Sequence, residues 1–342
     1  MDLNSFLEVS EHASLTRDEL EAGSARATAE AGALGVSLDG KDDLVAAAMA
    51  RQAGGKGGKA GADGGASAFP AEDGGKVSIE DFELLKTLGK GSFGRVFLVR
   101  RVQRDAGLAA LGSGAEEKGN NHNLYAMKVL KKSEVKRRRQ VEHTKTERHI
   151  MGTIGQSHPF IVTLQYAFQT KDKLYMVTNY CRGGELFFHL KKMRRFTEEM
   201  CRFYSAEIIL ALDHLHKNDI VYRDLKPENV LLEEDGNIRI TDFGLSRENV
   251  DTPNGATTFC GTPEYLSPEM ILHRQTRTGY GKSVDWWSLG TLMYEMLTGW
   301  PPFYDRNIRR MCDKILRQKL SFPDKYGISV KAKSVIAGVG FG

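Results

Sequence analysis

Long apolar runs are absent from this sequence. No stretch approaches the ~18 apolar residues that a membrane-crossing helix needs, so no transmembrane segment is expected. Cysteine is scarce: Cys181, Cys201, Cys260 and Cys312 lie far apart. They have neither the paired spacing of a zinc site nor a disulfide framework, which predicts a reducing, intracellular setting. The first residues, Met1-Asp2-Leu3-Asn4, lack the basic region and apolar core of a secretory signal. Asp2 also excludes N-myristoylation, which needs glycine there. What is present is ordinary for a globular protein. Hydrophobic residues make up 41% and charged residues 27%, ample for a core. The length of 342 residues suggests about two domains, or one large domain with tails, at roughly 150 residues each.

The net charge of +4 is unevenly spread. Residues 1–75 hold 6 basic and 13 acidic side chains, net −7, so the remainder carries +11. The same segment contains 17 Ala and 13 Gly. Such a stretch has little to bury and much backbone entropy to lose, so residues 1–78 read as a disordered acidic arm. Asp42 to Ala50 could form a brief helix within it. A tether without a specific role is the plain reading of this arm.

From Ile79 the texture changes. Asp81 to Leu88 runs into a glycine cluster, and Arg95 to Arg100 reads as a β-branched strand, which predicts strand, tight turn, strand. Residues 102–123 are rich in Gly, Asn and Ala and read as a loop insertion. Tyr125 to Leu130 resumes a strand, and Lys136 to Met151 is a charged, helix-compatible stretch. Two short apolar runs, Ile161 to Phe168 and Lys173 to Tyr180, complete a small sheet-rich unit over 82–180. Beyond it, 181–342 turns helical, and Glu207 to Leu215 is apolar on nearly every side, as a buried helix would be. A cleft between two such units is a natural ligand site.

The glycine cluster, Gly89-Lys90-Gly91-Ser92-Phe93-Gly94-Arg95-Val96, fits G-x-G-x-x-G-x-V. Glycines let a backbone approach phosphate and point its N–H groups inward. A dinucleotide fold would place a helix after the last glycine; Val96 to Val99 is strand-like instead. Lys128 lies in the next strand, where its ammonium can face the cleft. A buried lysine needs a counter-charge, and Glu147, nineteen residues on, is the candidate. Each of these two alone reads as a surface charge. Tyr222-Arg223-Asp224-Leu225-Lys226-Pro227-Glu228-Asn229 is more specific, because five charged or amide groups crowd one loop. Eighteen residues past Asp224, Asp242 opens Asp242-Phe243-Gly244 after a short strand. A carboxylate there, beside a phosphate cradle, suits Mg²⁺, which takes few carboxylates plus phosphate oxygens.

These motifs in this order resemble the eukaryotic protein kinase signature. Tyr222-Arg223-Asp224, Phe259-Cys260-Gly261-Thr262-Pro263-Glu264-Tyr265 and Val284-Asp285-Trp286-Trp287 resemble the AGC group of serine/threonine kinases. Glu142 to Arg148 and Tyr166 to Thr170 look most like the ribosomal-protein kinases, the mitogen- and stress-activated kinases and protein kinase B. The resemblance covers about Phe82 to Ser334. It implies an α+β, two-lobed kinase fold: a small antiparallel sheet lobe with a regulatory helix, and a larger helical lobe. It implies ATP and Mg²⁺ as cofactors. Leu88, Gly89, Lys90, Gly91, Ser92, Phe93, Gly94, Arg95 and Val96 would cover the nucleotide. Ala126 and Leu231 would flank the adenine with Val96, and Asn179 to Cys181 would supply hinge hydrogen bonds. Thr178, behind the adenine, is small enough to leave a back pocket open to enlarged inhibitors. Lys128, fixed by Glu147, would hold phosphates; Asp242 and Asn229 would hold the metal; Asp224 would take the hydroxyl proton beside Lys226.

The same resemblance makes Thr258 an activation phosphosite, met by Arg223, Arg247 and His143 and modified by an upstream kinase. Glu185, which also counts among the nucleotide residues, would join Glu228, Glu295 and Thr262 at the peptide substrate. Substrates of the kind Arg-x-Arg-x-x-Ser/Thr are implied. Lys131-Lys132 and Lys136 to Arg139 read as a solvated face, with nuclear import or acidic-lipid contact as the alternative. No segment resembles a nucleic-acid module. A monomer in the cytoplasm or nucleus is the default of the group. The C-terminus departs from the pattern, since Ala337-Gly338-Val339-Gly340-Phe341-Gly342 replaces later helices and a docking tail. Glu269 is therefore expected to lack its buried arginine partner, at ~3–5 kcal/mol, which points to a truncated chain. A catalytically silent, kinase-like docking module is the alternative function, resting on that departure alone.

Overall fold

Period-two alternation of apolar residues between Phe82 and Asn179 builds a sheet of five strands, each pair antiparallel. In chain order these are β1 (Phe82–Lys90), β2 (Gly94–Arg101), β3 (Leu124–Lys131), β4 (Leu164–Gln169) and β5 (Lys173–Asn179), arranged β1-β2-β3-β5-β4. The computed structural model describes residues 77–90, 94–102, 124–248, 256, 258, 260–276 and 278–341. Most of the arm, with its brief helix at 42–50, and the insertion from 103 to 123 lie outside the described residues.

The sheet sorts its side chains by face. Phe97, Val99, Tyr125, Met127, Tyr175 and Val177 form an outer core with Phe82, in which Phe82 stacks on Phe168 at 5.9 Å and Phe168 on Tyr175 at 4.7 Å. The alternate residues take the other face. Val96 pairs with Lys128, Lys128 with Met176, and Ala126 with Thr178. Directly paired residues share a face, so these line the side turned toward the larger lobe. A Cβ on Gly94 would stand 1.8 Å from the Val129 carbonyl oxygen, so β2 lies this close to β3 only because the residue has no side chain.

The charged stretch after β3 is not one helix. It forms α1 (Lys132–Arg137) and α2 (Val141–His149), with Arg139 at φ 53° between them. Lys136 to Arg139 offers no apolar side chain to bury, and helices in proteins are held chiefly by a packed apolar face. Val135 anchors α1, while Glu147 is the buried residue of α2. The run from Ile161 also departs from expectation, because only Leu164 onward joins the sheet. Ile161 bridges Ile240 instead, with Val162 N–H donating to the Ile240 carbonyl (2.9 Å) and Ile240 N–H to that of Phe160 (2.9 Å). This segment ties the small lobe to the large one.

The large lobe is built on α3 (Leu186–Met193), α4 (Glu198–Lys217), α5 (Pro268–Thr276), α6 (Ser283–Thr298), α7 (Ile308–Arg317) and α8 (Val330–Gly340). Short strands β6 (Gly184–Glu185), β8 (Val230–Leu232) and β9 (Ile238–Ile240) form one sheet, and β7 (Ile220–Val221) pairs with β10 (Arg247–Glu248). Helix α4 is buried along most of its length, as its all-round apolarity predicts, and Thr197 caps it by accepting the Met200 N–H (3.2 Å). Among the described residues no helix is long and apolar enough to cross a membrane.

The glycine-rich C-terminal stretch is helical through Gly340. A Cβ on Gly290 would meet Gly340 Cα at 2.8 Å, so α6 and α8 touch backbone to backbone. Phe341 then packs edge-on against Trp287, ring centroids 4.5 Å apart. Nor is Glu269 an orphaned buried charge: it is half exposed and accepts the Ser283 hydroxyl (2.9 Å). That hydroxyl serves it where the resemblance implies an arginine in related chains.

Candidate active site

Lys128 stands on the inner face of β3, and its Nζ meets Glu147 Oε1 at 2.5 Å and Asp242 Oδ1 at 3.4 Å. Glu147 is buried on α2. The short contact is that of a charge-assisted hydrogen bond. Burial opposes the charge of Lys128, yet Glu147 and Asp242 hold its ammonium above the usual lysine range. Burial likewise pushes the Glu147 carboxyl up, with Lys128 opposing. Asp242 keeps a half-exposed side chain at a backbone φ of 58°, and Lys128 holds its carboxyl below the usual aspartate range. Phe243 behind it is fully buried, edge to face with Tyr222 at 5.4 Å.

The second group sits on the loop between β7 and β8. Asp224 Oδ2 lies 3.0 Å from Lys226 Nζ and accepts from Asn229 Nδ2 (2.9 Å), while Oδ1 accepts the Thr262 hydroxyl (3.1 Å). Lys226 Nζ also donates to Thr262 Oγ1 (3.0 Å), and Asn229 Nδ2 to the Asp224 carbonyl (2.8 Å). Lys226 is among the charges that lower Asp242, and the Thr241 N–H donates to the Asn229 carbonyl (3.0 Å). The two groups thus face one space. Sequence reasoning gave no role to the residue that shapes this loop. Asp285, fully buried in the first turn of α6, accepts the N–H of Tyr222 (2.8 Å) and of Arg223 (2.7 Å), and His216 Nε2 lies 2.7 Å away. Its signal was a carboxylate set among Val284, Trp286 and Trp287.

A metal fits this donor set as a guest of a phosphate ligand rather than of a protein cage. Among the described residues no cluster of three or more His, Cys, Asp or Glu could hold an ion alone. Asp242, ionised and half exposed, and the adjoining Asn229 amide offer the hard oxygen donors that a small divalent cation shares with phosphates.

The expected nucleotide residues that the structure describes fall on the strands of the small sheet and the segment that follows it. Leu88, Gly89 and Lys90 end β1, and Gly94, Arg95 and Val96 begin β2; Gly91, Ser92 and Phe93 lie outside the described residues. Thr178 Oγ1 reaches the Ala126 carbonyl (3.4 Å), Asn179 ends β5, and Cys181 is buried. Leu231 pairs directly with Glu185 across β8 and β6. Glu185 is pushed up to about 7 by burial and then by Glu228. Burial raises Glu228 as well, and its Oε2 has no hydrogen-bond partner among the described residues. Glu295, also pushed up to about 7 by burial, accepts the Tyr265 hydroxyl.

Two arginines and a histidine lie beside the loop of Asp224. Burial, then Arg223 and Arg247, hold the His143 ring below the usual histidine range, which brings the three residues into one neighbourhood. Arg247 pairs with Val221 across β10 and β7. Thr258 is exposed, and its carbonyl accepts the hydroxyl of Tyr280, which in turn accepts Arg223 Nη1.

A lysine–glutamate pair under a sheet, an aspartate beside it and a buttressed loop carboxylate, all at a lobe junction, are the arrangement of the two-lobed protein kinase fold. Residues 82–339 match the family described as protein kinase domain. The chain belongs to that family, in its AGC group. It is 54% identical over 260 residues to Protein kinase 2 of Dictyostelium discoideum, covering 76% of this chain and 49% of that protein. It is 51% identical over 262 residues to the RAC family serine/threonine-protein kinase homolog of the same organism, covering 76% and 53%. The human RAC-beta serine/threonine-protein kinase is 46% identical over 264 residues, covering 77% and 50%. The chain spans about half the length of these relatives.

Proposed function

We propose that this chain transfers the γ-phosphate of ATP, with Mg²⁺, to serine or threonine in protein segments with upstream arginines, and that phosphorylation of Thr258 by another kinase raises the rate. The observation that carries this is the setting of Asp224, whose oxygens are fixed by Lys226, Asn229 and Thr262 within the space that Asp242 and Lys128 face. Asp224 receives the proton of the acceptor hydroxyl and orients that hydroxyl; such help is worth about 10²–10⁴-fold. Lys226 offsets the charge growing on the transferred phosphoryl group, acting from a fixed position. Lys128, kept protonated by Glu147, holds the α and β phosphates. Asp242 and Asn229 hold the metal, which when bound neutralises phosphate charge. The half-buried acids Glu185, Glu228 and Glu295 supply the negative field that prefers arginine. Arg223 and Arg247 supply the cations of a receptor for a phosphate on Thr258, and the His143 ring stands beside them as a hydrogen-bond donor.

The test is direct. The chain phosphorylated at Thr258, with labelled ATP, Mg²⁺ and a serine peptide of the Arg-x-Arg-x-x-Ser kind, should transfer phosphate, and Asp224→Asn should not. Replacing the peptide arginines by alanine should raise its KM at least tenfold, about 1.4 kcal/mol. Nucleotide binding without transfer above the Asp224→Asn background would sink the reading and leave a silent docking module.

A further inference from the structure

Arg223 precedes the proton-accepting Asp224 and has a φ of 69°, a left-handed conformation that a non-glycine residue keeps only when its surroundings fix it. Its N–H is held by Asp285, and its Nε donates to the Leu245 carbonyl (2.7 Å), three residues past Asp242. The remaining tie runs through Tyr280, a buried residue outside every sequence motif. The Tyr280 hydroxyl accepts Arg223 Nη1 (3.0 Å) and donates to the Thr258 carbonyl (2.6 Å). Its backbone is also paired with Ala256, by Ala256 N–H to the Tyr280 carbonyl (2.9 Å) and Tyr280 N–H to that of Ala256 (3.2 Å). The ring rests edge-on against His273, with centroids 5.8 Å apart.

From this geometry we propose that Tyr280 is a positioning residue, whose hydroxyl fixes the segment bearing Thr258 to the catalytic loop through Arg223. The tie is made by a main-chain carbonyl, so it sets the register of the segment whether or not Thr258 carries a phosphate. Burial pushes the phenol up to about 12, so it remains a donor throughout the neutral range. The inference rests on the reading of Asp224 as proton acceptor, because Arg223 acts by orienting its neighbour.

Tyr280→Phe removes only the hydroxyl and keeps the ring contact and the backbone pairing. In the Thr258-phosphorylated chain its kcat should fall about tenfold with the KM for ATP unchanged. Amide hydrogen exchange over 256–260 should quicken about tenfold, as a local opening made easier. Tyr294→Phe, which loses a hydroxyl bonded to the Ser321 carbonyl (3.0 Å), should change neither. Wild-type kcat or wild-type exchange in Tyr280→Phe would overturn the inference, as would equal effects in Tyr294→Phe. If Asp224→Asn retains full transfer, the proton-acceptor reading fails by itself, and the exchange rates alone then decide the tether.

Discussion

Asp285 Oδ1 accepts the Arg223 N–H at 2.7 Å, joining the first turn of α6 to a residue it follows by 62 positions. The other oxygen takes the Tyr222 N–H (2.8 Å) and lies 2.7 Å from His216 Nε2, all out of contact with water. Each buried donor left without its acceptor costs about 1–3 kcal/mol. Asp285→Ala should therefore lower stability by about 3 kcal/mol or more, read by denaturant unfolding, and abolish transfer. Asp285→Asn, which keeps one acceptor oxygen, should lose less stability while still lowering kcat. A fully active Asp285→Ala would show that the loop holds its shape unaided.

The Lys128–Glu147 pair allows stability and activity to be separated. Lys128→Met strands the buried Glu147 carboxylate and should cost about 3 kcal/mol, the low end for a broken buried pair because Lys128 is partly exposed. Adding Glu147→Gln removes the stranded charge and should recover most of that stability without restoring transfer. Thermal melts and single-turnover kinetics on the two single variants and the double variant check both arms. Additive stability losses would mean that the two side chains do not act as a pair.

Glu185 and Glu295, both pushed up to about 7, would give the proposed reading of substrate arginines a pH dependence. A raised carboxyl is neutral below its pKa, so its attraction for arginine is present above about pH 7 and lost as pH falls through it. The KM for an arginine-bearing peptide should therefore rise severalfold between about pH 8 and about pH 6, and that for an alanine-substituted peptide should not. Glu295→Gln should flatten the profile. A KM independent of pH for both peptides would show that these acids do not meet the substrate.

Gly290 and Gly340 make the contact of α6 with α8 testable. A methyl on Gly290 would stand 2.8 Å from a backbone atom that no rotamer change can move. Gly290→Ala should cost about 1–3 kcal/mol, read as a lowered melting temperature. Gly338→Ala, with nothing within 4 Å of the added carbon, should be neutral or mildly stabilising. Equal effects at the two sites would argue against the helix contact.

The sheet was legible because alternation in β3 and β5 is a local signal, and a long helix apolar on all sides leaves little choice but burial. Where expectations failed, partners were distant. Ile161 left its apolar run because Ile240 was a better neighbour, and Lys136 to Arg139 broke a helix for want of a face to bury. The packing of the C-terminal glycines was not legible, since their fit depends on Gly290, fifty residues earlier. Glu269 looked orphaned because nothing in the sequence showed how much water reaches it.

The sequence by itself determined which charged and polar side chains are present, in what order, and on which strands and loops, because motif spacing and periodicity are properties of neighbouring residues; their expected roles came from the resemblance to the protein kinase signature. Only the tertiary structure decided that Lys128 meets Glu147 and Asp242, that Asp285 shapes the loop of Asp224, and that Tyr280 stands between Arg223 and Thr258. Those contacts join residues from 19 to 114 positions apart. They exist only where distant segments pack against one another, which no single segment of the chain can bring about.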